Sequence, residues 1–200
     1  MIFAIILAAG ESKRMGETKL LLPYGEETII ETVIGNVVRS KADKTLVVLG
    51  SDWHKIAEKI RKSRVSVTIN PHYQRGMFSS VLHGLQLLPE SAQAVVIVLA
   101  DQPRVPTSVI NSLIRAFKKY RKGIVLPVYK NARGHPVLID LKYRQEIKNI
   151  SPEKGLRELI YSHPDDIREV KVSTPSILKD IDDREDYFHE IEKVRLGDKA

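Results

Sequence analysis

Ile2-Phe3-Ala4-Ile5-Ile6-Leu7-Ala8-Ala9-Gly10-Glu11-Ser12-Lys13-Arg14-Met15-Gly16-Glu17-Thr18-Lys19-Leu20 opens the chain with an unbroken apolar run that gives way abruptly to glycine, serine and cations. A run of this kind predicts a strand over Ile2 to Leu7 covered on both faces, as in a parallel sheet. It lacks the basic flank of a signal peptide and stops after nine residues, so it reads as core. Further strands are predicted at Thr45 to Leu49, Val65 to Ile69, Ala94 to Leu99, Ile124 to Val128, Val137 to Ile139 and Arg168 to Val172. Between them, apolar residues recur at three and four over Thr28 to Ser40, Trp53 to Ser63, Phe78 to Leu88, Thr107 to Tyr120, Gly155 to Ser162 and Glu185 to Lys193, as on amphipathic helices. Strand and helix alternate, which predicts an α/β fold with a mostly parallel sheet of about seven strands. Asn131 to Gly134 has the look of a hairpin turn, so one antiparallel element is expected, and Thr107 is expected to cap the helix after Pro106.

Length and composition bound what such a sheet could serve. At 200 residues, 42% of them hydrophobic, the chain supports one good core, and a single domain over 1–200 is expected. A formal charge of +7 favours an anionic partner. The cations are scattered and aromatic residues few, so neither a nucleic-acid platform nor a basic arm is expected. No cysteine is present, which removes disulfides, thiolate metal sites and a cysteine nucleophile, and suits a cytoplasmic protein. No apolar run approaches the roughly 20 residues of a bilayer span.

In open α/β sheets ligands bind beyond the carboxyl ends of the strands, which singles out Gly10 to Lys19, Asn70 to Ser80, Asp101 to Pro103 and Arg133 to Pro136. The first loop carries what a triphosphate requires: glycines that let backbone N–H groups approach, with Arg14 and Lys19 for charge. It is neither a P-loop, since five residues separate Gly10 from Gly16, nor a dinucleotide fingerprint, since Ser12 replaces the second glycine. Asp101 ends a fully apolar strand, where a carboxylate serves equally as a turn former or a ligand for a hard cation. Asp180, Asp182 and Asp183 precede the last helix, where acidic residues also favour the helix dipole. Ser79 and Ser80 suit the first turn of a helix, and His135 reads as either a ligand contact or a satisfied structural histidine.

Five motifs bring these residues together. Leu7-Ala8-Ala9-Gly10-Glu11-Ser12-Lys13-Arg14-Met15-Gly16-Glu17-Thr18-Lys19-Leu20 resembles the pyrophosphorylase loop of the nucleotidyltransferase superfamily, and most of all that of the molybdenum cofactor cytidylyltransferase family. Leu99-Ala100-Asp101-Gln102-Pro103 is similar to that family's metal motif. Asp180-Ile181-Asp182-Asp183-Arg184-Glu185-Asp186-Tyr187 resembles its D-I-D-T-P-E-D-Y closing motif, with Asp183 for Thr and Arg184 for Pro. Asn70, Pro71, Gly76, Met77 and Ser80 match its N-P-x(4)-G-M-x-x-S stretch, and Gly134-His135-Pro136 its G-H-P element. Pro152-Glu153-Lys154-Gly155-Leu156-Arg157 keeps only half of a further element, G-D-x-G-x-R.

The resemblance implies a three-layer Rossmann-like fold of the GT-A type. It also implies transfer of CMP from CTP to molybdopterin, with Mg²⁺, or Mn²⁺ in its place, as the metal. Carried over by position, Leu7, Ala8, Ala9, Gly10, Arg14, Lys19, Asn70, Ser80 and Asp101 bind nucleotide. Arg14, Lys19 and Asp101 carry catalysis, and Asp101 and Asp182 hold the metal, with Asp180 as the other choice for the second ligand. Gly76, Gln102, Pro103, Gly134 and His135 face the acceptor. The Ala8-Ala9 pair leans towards the cytidylyl branch. Other readings are a guanylyl- or cytidylyltransferase for another phosphorylated small molecule, and a non-catalytic cofactor carrier that contacts a client molybdoenzyme. A nicotinamide oxidoreductase lacks its glycine fingerprint.

Overall fold

In the computed structural model, which describes residues 1–196, the opening run forms β1 (Ile2–Ala8), buried along its whole length. Side chains alternate across a strand, so Ile2, Ala4, Ile6 and Ala8 enter one core while Phe3, Ile5 and Leu7 enter a second. One strand therefore feeds two apolar layers, which is why its sequence shows no polar alternation.

The remaining elements follow in chain order. A two-stranded ribbon, β2 (Pro23–Tyr24) and β3 (Glu27–Thr28), leads to α1 (Ile29–Val38), and then come β4 (Lys44–Leu49), α2 (Trp53–Ile60) and β5 (Ser66–Ile69). α3 (Met77–Gln86), β6 (Ala94–Leu99), α4 (Thr107–Tyr120) and β7 (Ile124–Tyr129) complete the middle of the chain. The last third holds β8 (Ala132–Arg133), β9 (Val137–Asp140), α5 (Arg144–Asn149), α6 (Leu156–Ser162), β10 (Ile167–Lys171) and α7 (Arg184–Arg195). The main sheet runs β10-β7-β9-β6-β1-β4-β5, with β8 attached to β7. β1 pairs in parallel with both β4 and β6, and β9 is the antiparallel member between β6 and β7. The seven strands expected from periodicity are all present, mostly parallel.

Helices cover both faces. α1, α2 and α4 bury Ile30, Val33, Ile56, Ile60, Leu113 and Ile114 in the first core, with α7 packed at its margin through Tyr187, Ile191 and Val194. α3, α5 and α6 bury Val81, Leu85, Ile147 and Leu159 in the second. Each fully buried Leu or Ile is worth roughly 1.5–3 kcal/mol, so these two layers dominate stability. Among the described residues no helix is long and apolar enough to cross a membrane.

The chain reverses direction at β1. From β1 it proceeds outward to β4 and β5, then returns over the opposite face through α3 to lay β6 on the other side of β1. This is the switch point at which an open sheet leaves a crevice beyond its strand ends, and it lies between the carboxyl ends of β1 and β6.

Several local expectations are corrected. The hairpin turn is Lys130-Asn131, both in the left-handed region, between paired Tyr129 and Ala132; Gly134 lies beyond it. α4 is preceded by Pro106 at the cap position, and the Thr107 hydroxyl donates instead to the Asn36 carbonyl, tying α4 to α1. The edge strands β5 and β10 are largely solvated, because each has a neighbour on one side only. The short helix α5 had no sequence signature; six residues do not display a full apolar period.

Asp166, at the entry to β10, takes the Tyr143 hydroxyl at 2.5 Å and the Lys142 ammonium at 2.7 Å. Burial alone would raise its pKa, but Lys142, Tyr143 and the Gly123 N–H together outweigh burial and lower it to about 2. A depressed carboxylate stabilises the fold above its unfolded value of about 4, and that stabilisation is lost as pH falls through the folded value. Asp166→Asn should therefore flatten the pH dependence of the urea midpoint between about pH 4 and 2. An unchanged slope would deny Asp166 this role.

Candidate active site

The carboxyl ends of β1 and β6 lie side by side, and the first carries the glycine- and cation-rich loop while the second carries Asp101. The loop is folded by its own small residues. Ser12 sits in the left-handed region, its carbonyl accepts from Met15 N–H at 2.9 Å, and its hydroxyl accepts from Lys19 N–H at 3.2 Å. Met15 is buried and pins the middle of the loop to the protein, which leaves Arg14 and Lys13 outside.

Lys19 points into the crevice, its side chain only 12% exposed. Its ammonium donates to Asp101 Oδ2 at 2.7 Å, to the Ile181 carbonyl at 2.8 Å and to Asp182 Oδ1 at 3.4 Å. Arg14 Nη2 reaches Asp182 Oδ2 at 3.4 Å from a side chain that is 70% exposed. The Ile181 N–H donates to the Asp101 carbonyl at 3.0 Å, so the closing segment is stitched to the end of β6 by its backbone. Arg14, Lys19, Asp101 and Asp182, drawn from three distant stretches of sequence, thus meet at one place.

Asp183 caps α7 by accepting the Asp186 N–H at 3.0 Å, which orients the turn that presents Asp182. Asp180 turns the other way and accepts from Gln102 Nε2 at 2.6 Å. Burial lifts the Asp180 carboxyl above its ordinary range, the Gln102 amide opposes this, and the nearby Asp101 and Asp182 charges add to it. Of the two aspartates, Asp182 is the one beside both cations.

A cavity of about 350 Å³ is lined by Leu7, Ala8, Gly10, Ser12, Arg14, Lys19, Asp101 and Asp182, among others. A second, of about 620 Å³, shares Leu7 with it and continues past Phe78, Gly134, His135, Lys154, Arg157 and Tyr161. The two meet at Leu7, near the carboxyl end of β1. A larger depression, about 1040 Å³, is lined, among the described residues, by α7 and its cap alone.

Other expected contacts fall elsewhere. Asn70 and Ser80, read from the sequence as nucleotide contacts, are 1% and 2% exposed. Asn70 Nδ2 donates to Ser79 Oγ at 2.9 Å and Ser80 Oγ at 3.0 Å, and its Oδ1 accepts the His72 N–H. They brace the turn into α3, and neither lines the two cavities. Gly76 begins α3 at φ +91°, a conformation that favours glycine, and is likewise outside the second cavity. Pro103 packs against α1, its carbonyl accepting from Asn36, and Gln102 serves Asp180; both are buried away from the acceptor cavity.

Gly134 and His135, expected to face an acceptor, line the second cavity. A side chain on Gly134 would run into the Ile177 carbonyl, which itself accepts the His135 N–H at 3.0 Å. Burial lowers the His135 pKa against the raising influence of Asp180 and Asp101, so the ring is neutral near pH 7. The loop 152–157, which keeps only half of the family element, places Lys154 and Arg157 in this cavity, and the retained Gly155-Leu156-Arg157 is the signal for it.

The donor set around the crevice is all oxygen. Among the described residues no group of three His, Cys, Asp or Glu is spaced to hold a metal alone. Two carboxylates fit a hard divalent ion that completes its shell with phosphate oxygens and water.

Comparison with known proteins agrees with this architecture. A family model described as MobA-like NTP transferase domain matches residues 4–167. The chain is 25% identical over 188 residues to the molybdenum cofactor cytidylyltransferase of Escherichia coli (strain K12), covering 94% of each. It is 24% identical over 196 residues to the nicotine blue oxidoreductase of Paenarthrobacter nicotinovorans, covering 94% of this chain and 95% of that one. The solved structure of the Mycobacterium tuberculosis rv0371c homolog from Mycobacterium sp. strain JC1 superimposes with a TM-score of 0.85 at 27% identity, covering 98% of each chain.

Proposed function

Because the chain belongs to the MobA-like NTP transferase family, whose model matches residues 4–167, we propose that this nucleotidyltransferase moves CMP from CTP to molybdopterin and releases pyrophosphate. The observation that carries the reading is the convergence of Arg14, Lys19, Asp101 and Asp182 on one crevice that opens into an acceptor-sized cavity. The continuous sheet from β1 to β10 supports the whole chain acting as one such domain.

In this reading Ala8, Ala9 and Gly10 offer backbone to base and ribose, while Arg14 and Lys19 bind the phosphates. Asp101 and Asp182 hold Mg²⁺, for which Mn²⁺ can substitute. The bound ion would neutralise charge on the triphosphate. An acceptor phosphate is already an anion near neutral pH, so no side chain need remove a proton. Its oxygen forms the new bond to the α-phosphorus as the bridging oxygen departs with pyrophosphate. The chain's part is alignment and charge stabilisation by preorganised cations. Neutral His135 can donate or accept at the acceptor ring, and Lys154 and Arg157 suit its phosphate.

The test is pyrophosphate release with Mg²⁺, molybdopterin and each nucleoside triphosphate in turn. CTP-dependent release is expected; release with GTP alone would shift the base, and CTP bound but never cleaved would make the protein a carrier. Loss of a charge-assisted contact costs about 1.5 kcal/mol or more, so Arg157→Ala should raise the acceptor KM roughly tenfold. The KM for CTP should not move. Equal effects on both substrates would remove Arg157 from the acceptor site.

A further inference from the structure

The Lys19 ammonium has three N–H donors and three oxygen neighbours: Asp101 Oδ2 at 2.7 Å, the Ile181 carbonyl at 2.8 Å and Asp182 Oδ1 at 3.4 Å. These oxygens come from two segments held in register by the Ile181 N–H to Asp101 carbonyl bond, so they form a preset cage for one cation. Both side-chain oxygens belong to the two carboxylates assigned to the metal. A divalent ion bound to both carboxylates would stand within a few ångströms of the ammonium, and like charges at such spacing in a partly buried site repel strongly.

We infer that Lys19 and the divalent ion are alternative occupants of this cage: the lysine excludes the free metal, and yields the carboxylates only when the ion arrives with a triphosphate whose oxygens receive the ammonium instead. The exchange leaves each charged group of the crevice facing an opposite charge at both stages. Two carboxylates face one lysine beforehand; afterwards they face the metal, while the lysine and Arg14 face phosphate. Metal and nucleotide therefore bind together, and Lys19 is the residue that couples them. Arg14 is poorly placed to act as the excluding cation, because it is largely exposed and, of the two carboxylates, pairs with Asp182 and not with Asp101.

This inference rests on the proposed nucleotidyl-transfer site, and the experiment separates the two. Free Mn²⁺ is titrated against the protein by its electron paramagnetic resonance signal, alone and with a CTP analogue carrying a methylene between the α and β phosphorus atoms. Wild type should bind Mn²⁺ alone at least tenfold more weakly than Lys19→Met and Lys19→Gln, and the gain in those variants should vanish when Asp101→Asn is added. With the analogue, wild type should retain Mn²⁺ at least tenfold better than the analogue does by itself. Thermal melts of the variants establish that they fold. The wild-type measurements decide the matter without them: tight, Asp101-dependent binding of free Mn²⁺ by wild type overturns the exclusion and leaves the transferase reading standing. Absence of any Mn²⁺ with the analogue overturns both.

Discussion

Asp101→Ala is expected to lower the rate of nucleotidyl transfer by about a thousandfold or more, some 4 kcal/mol of barrier, while leaving the fold intact. The backbone at this position is fixed independently of the side chain, by β6 before it and by the Ile181 N–H to Asp101 carbonyl bond after it. The carboxylate, in contrast, is the nearest anion to the Lys19 ammonium at 2.7 Å and stands at the mouth of the crevice between β1 and β6. Removing it deletes one of the two carboxylates proposed to hold the metal and also frees Lys19 from its shortest contact. Single-turnover pyrophosphate release, compared with a thermal melt of the same preparation, reads both halves of the expectation. A rate within threefold of wild type would detach Asp101 from the chemistry.

Glu190→Ala is expected to cost about 3 kcal/mol of stability, because it removes the buried carboxylate that Lys193 and Arg104 share. Glu190 is 6% exposed, and its carboxylate lies 2.8 Å from Lys193 Nζ and 3.5 Å from Arg104 Nε. Burial, with the neighbouring Glu190 charge, pushes the Tyr24 hydroxyl up to about 12, against Arg104, which places the β2 ribbon beside the same cluster. Arg104 follows the Asp101-Gln102-Pro103 loop, so this pair fastens α7 to the segment that presents the proposed metal ligand. In a chain of this size the loss corresponds to a Tm lower by roughly 6–12 °C. Glu190→Gln, which keeps the shape, should lose less. Scanning calorimetry of both variants checks the ranking, and a Glu190→Ala melt within a degree of wild type would make the cluster energetically neutral.

The parts of the fold that were legible in the sequence are those whose residues answer to local rules. β1 and β6 announced themselves because burial on both faces demands continuous apolar sequence. α1 begins at the Thr28 end of its predicted span, where Thr28 and Glu31 form a capping box, and α4 runs over the span its periodicity marked. The misreadings arose where tertiary contacts override local preference. Thr107 gives its hydroxyl to α1 rather than to its own helix, and the Lys130-Asn131 turn sits one residue before the expected span because pairing of Tyr129 with Ala132 fixes the register.

The candidate site divides along the same line. Arg14, Lys19 and Asp101 stood out because a strand end followed by cations or a carboxylate is where a switch-point crevice needs charge. Asn70 and Ser80 carry the right chemistry for a ligand, but nothing in their spacing reveals that they are buried and hydrogen-bonded to each other inside the protein. The Glu190–Arg104 pair and the Ile181 carbonyl had no signature at all, since each depends on how α7 closes over the sheet. Arg157 was absent from the expected site residues because its loop keeps only half of the family element, yet the first turn of α6 brings it to the cavity that His135 also lines.

The most direct test of the central claim is a crystal structure with Mn²⁺ and the methylene analogue of CTP, phased to locate manganese by its anomalous signal. The account expects a manganese peak bridging Asp101 and Asp182, the triphosphate against Arg14 and Lys19, and Lys19 Nζ moved from the carboxylates to a phosphate oxygen. Manganese or triphosphate bound on another face, with the Lys19–Asp101 contact unchanged, would contradict it.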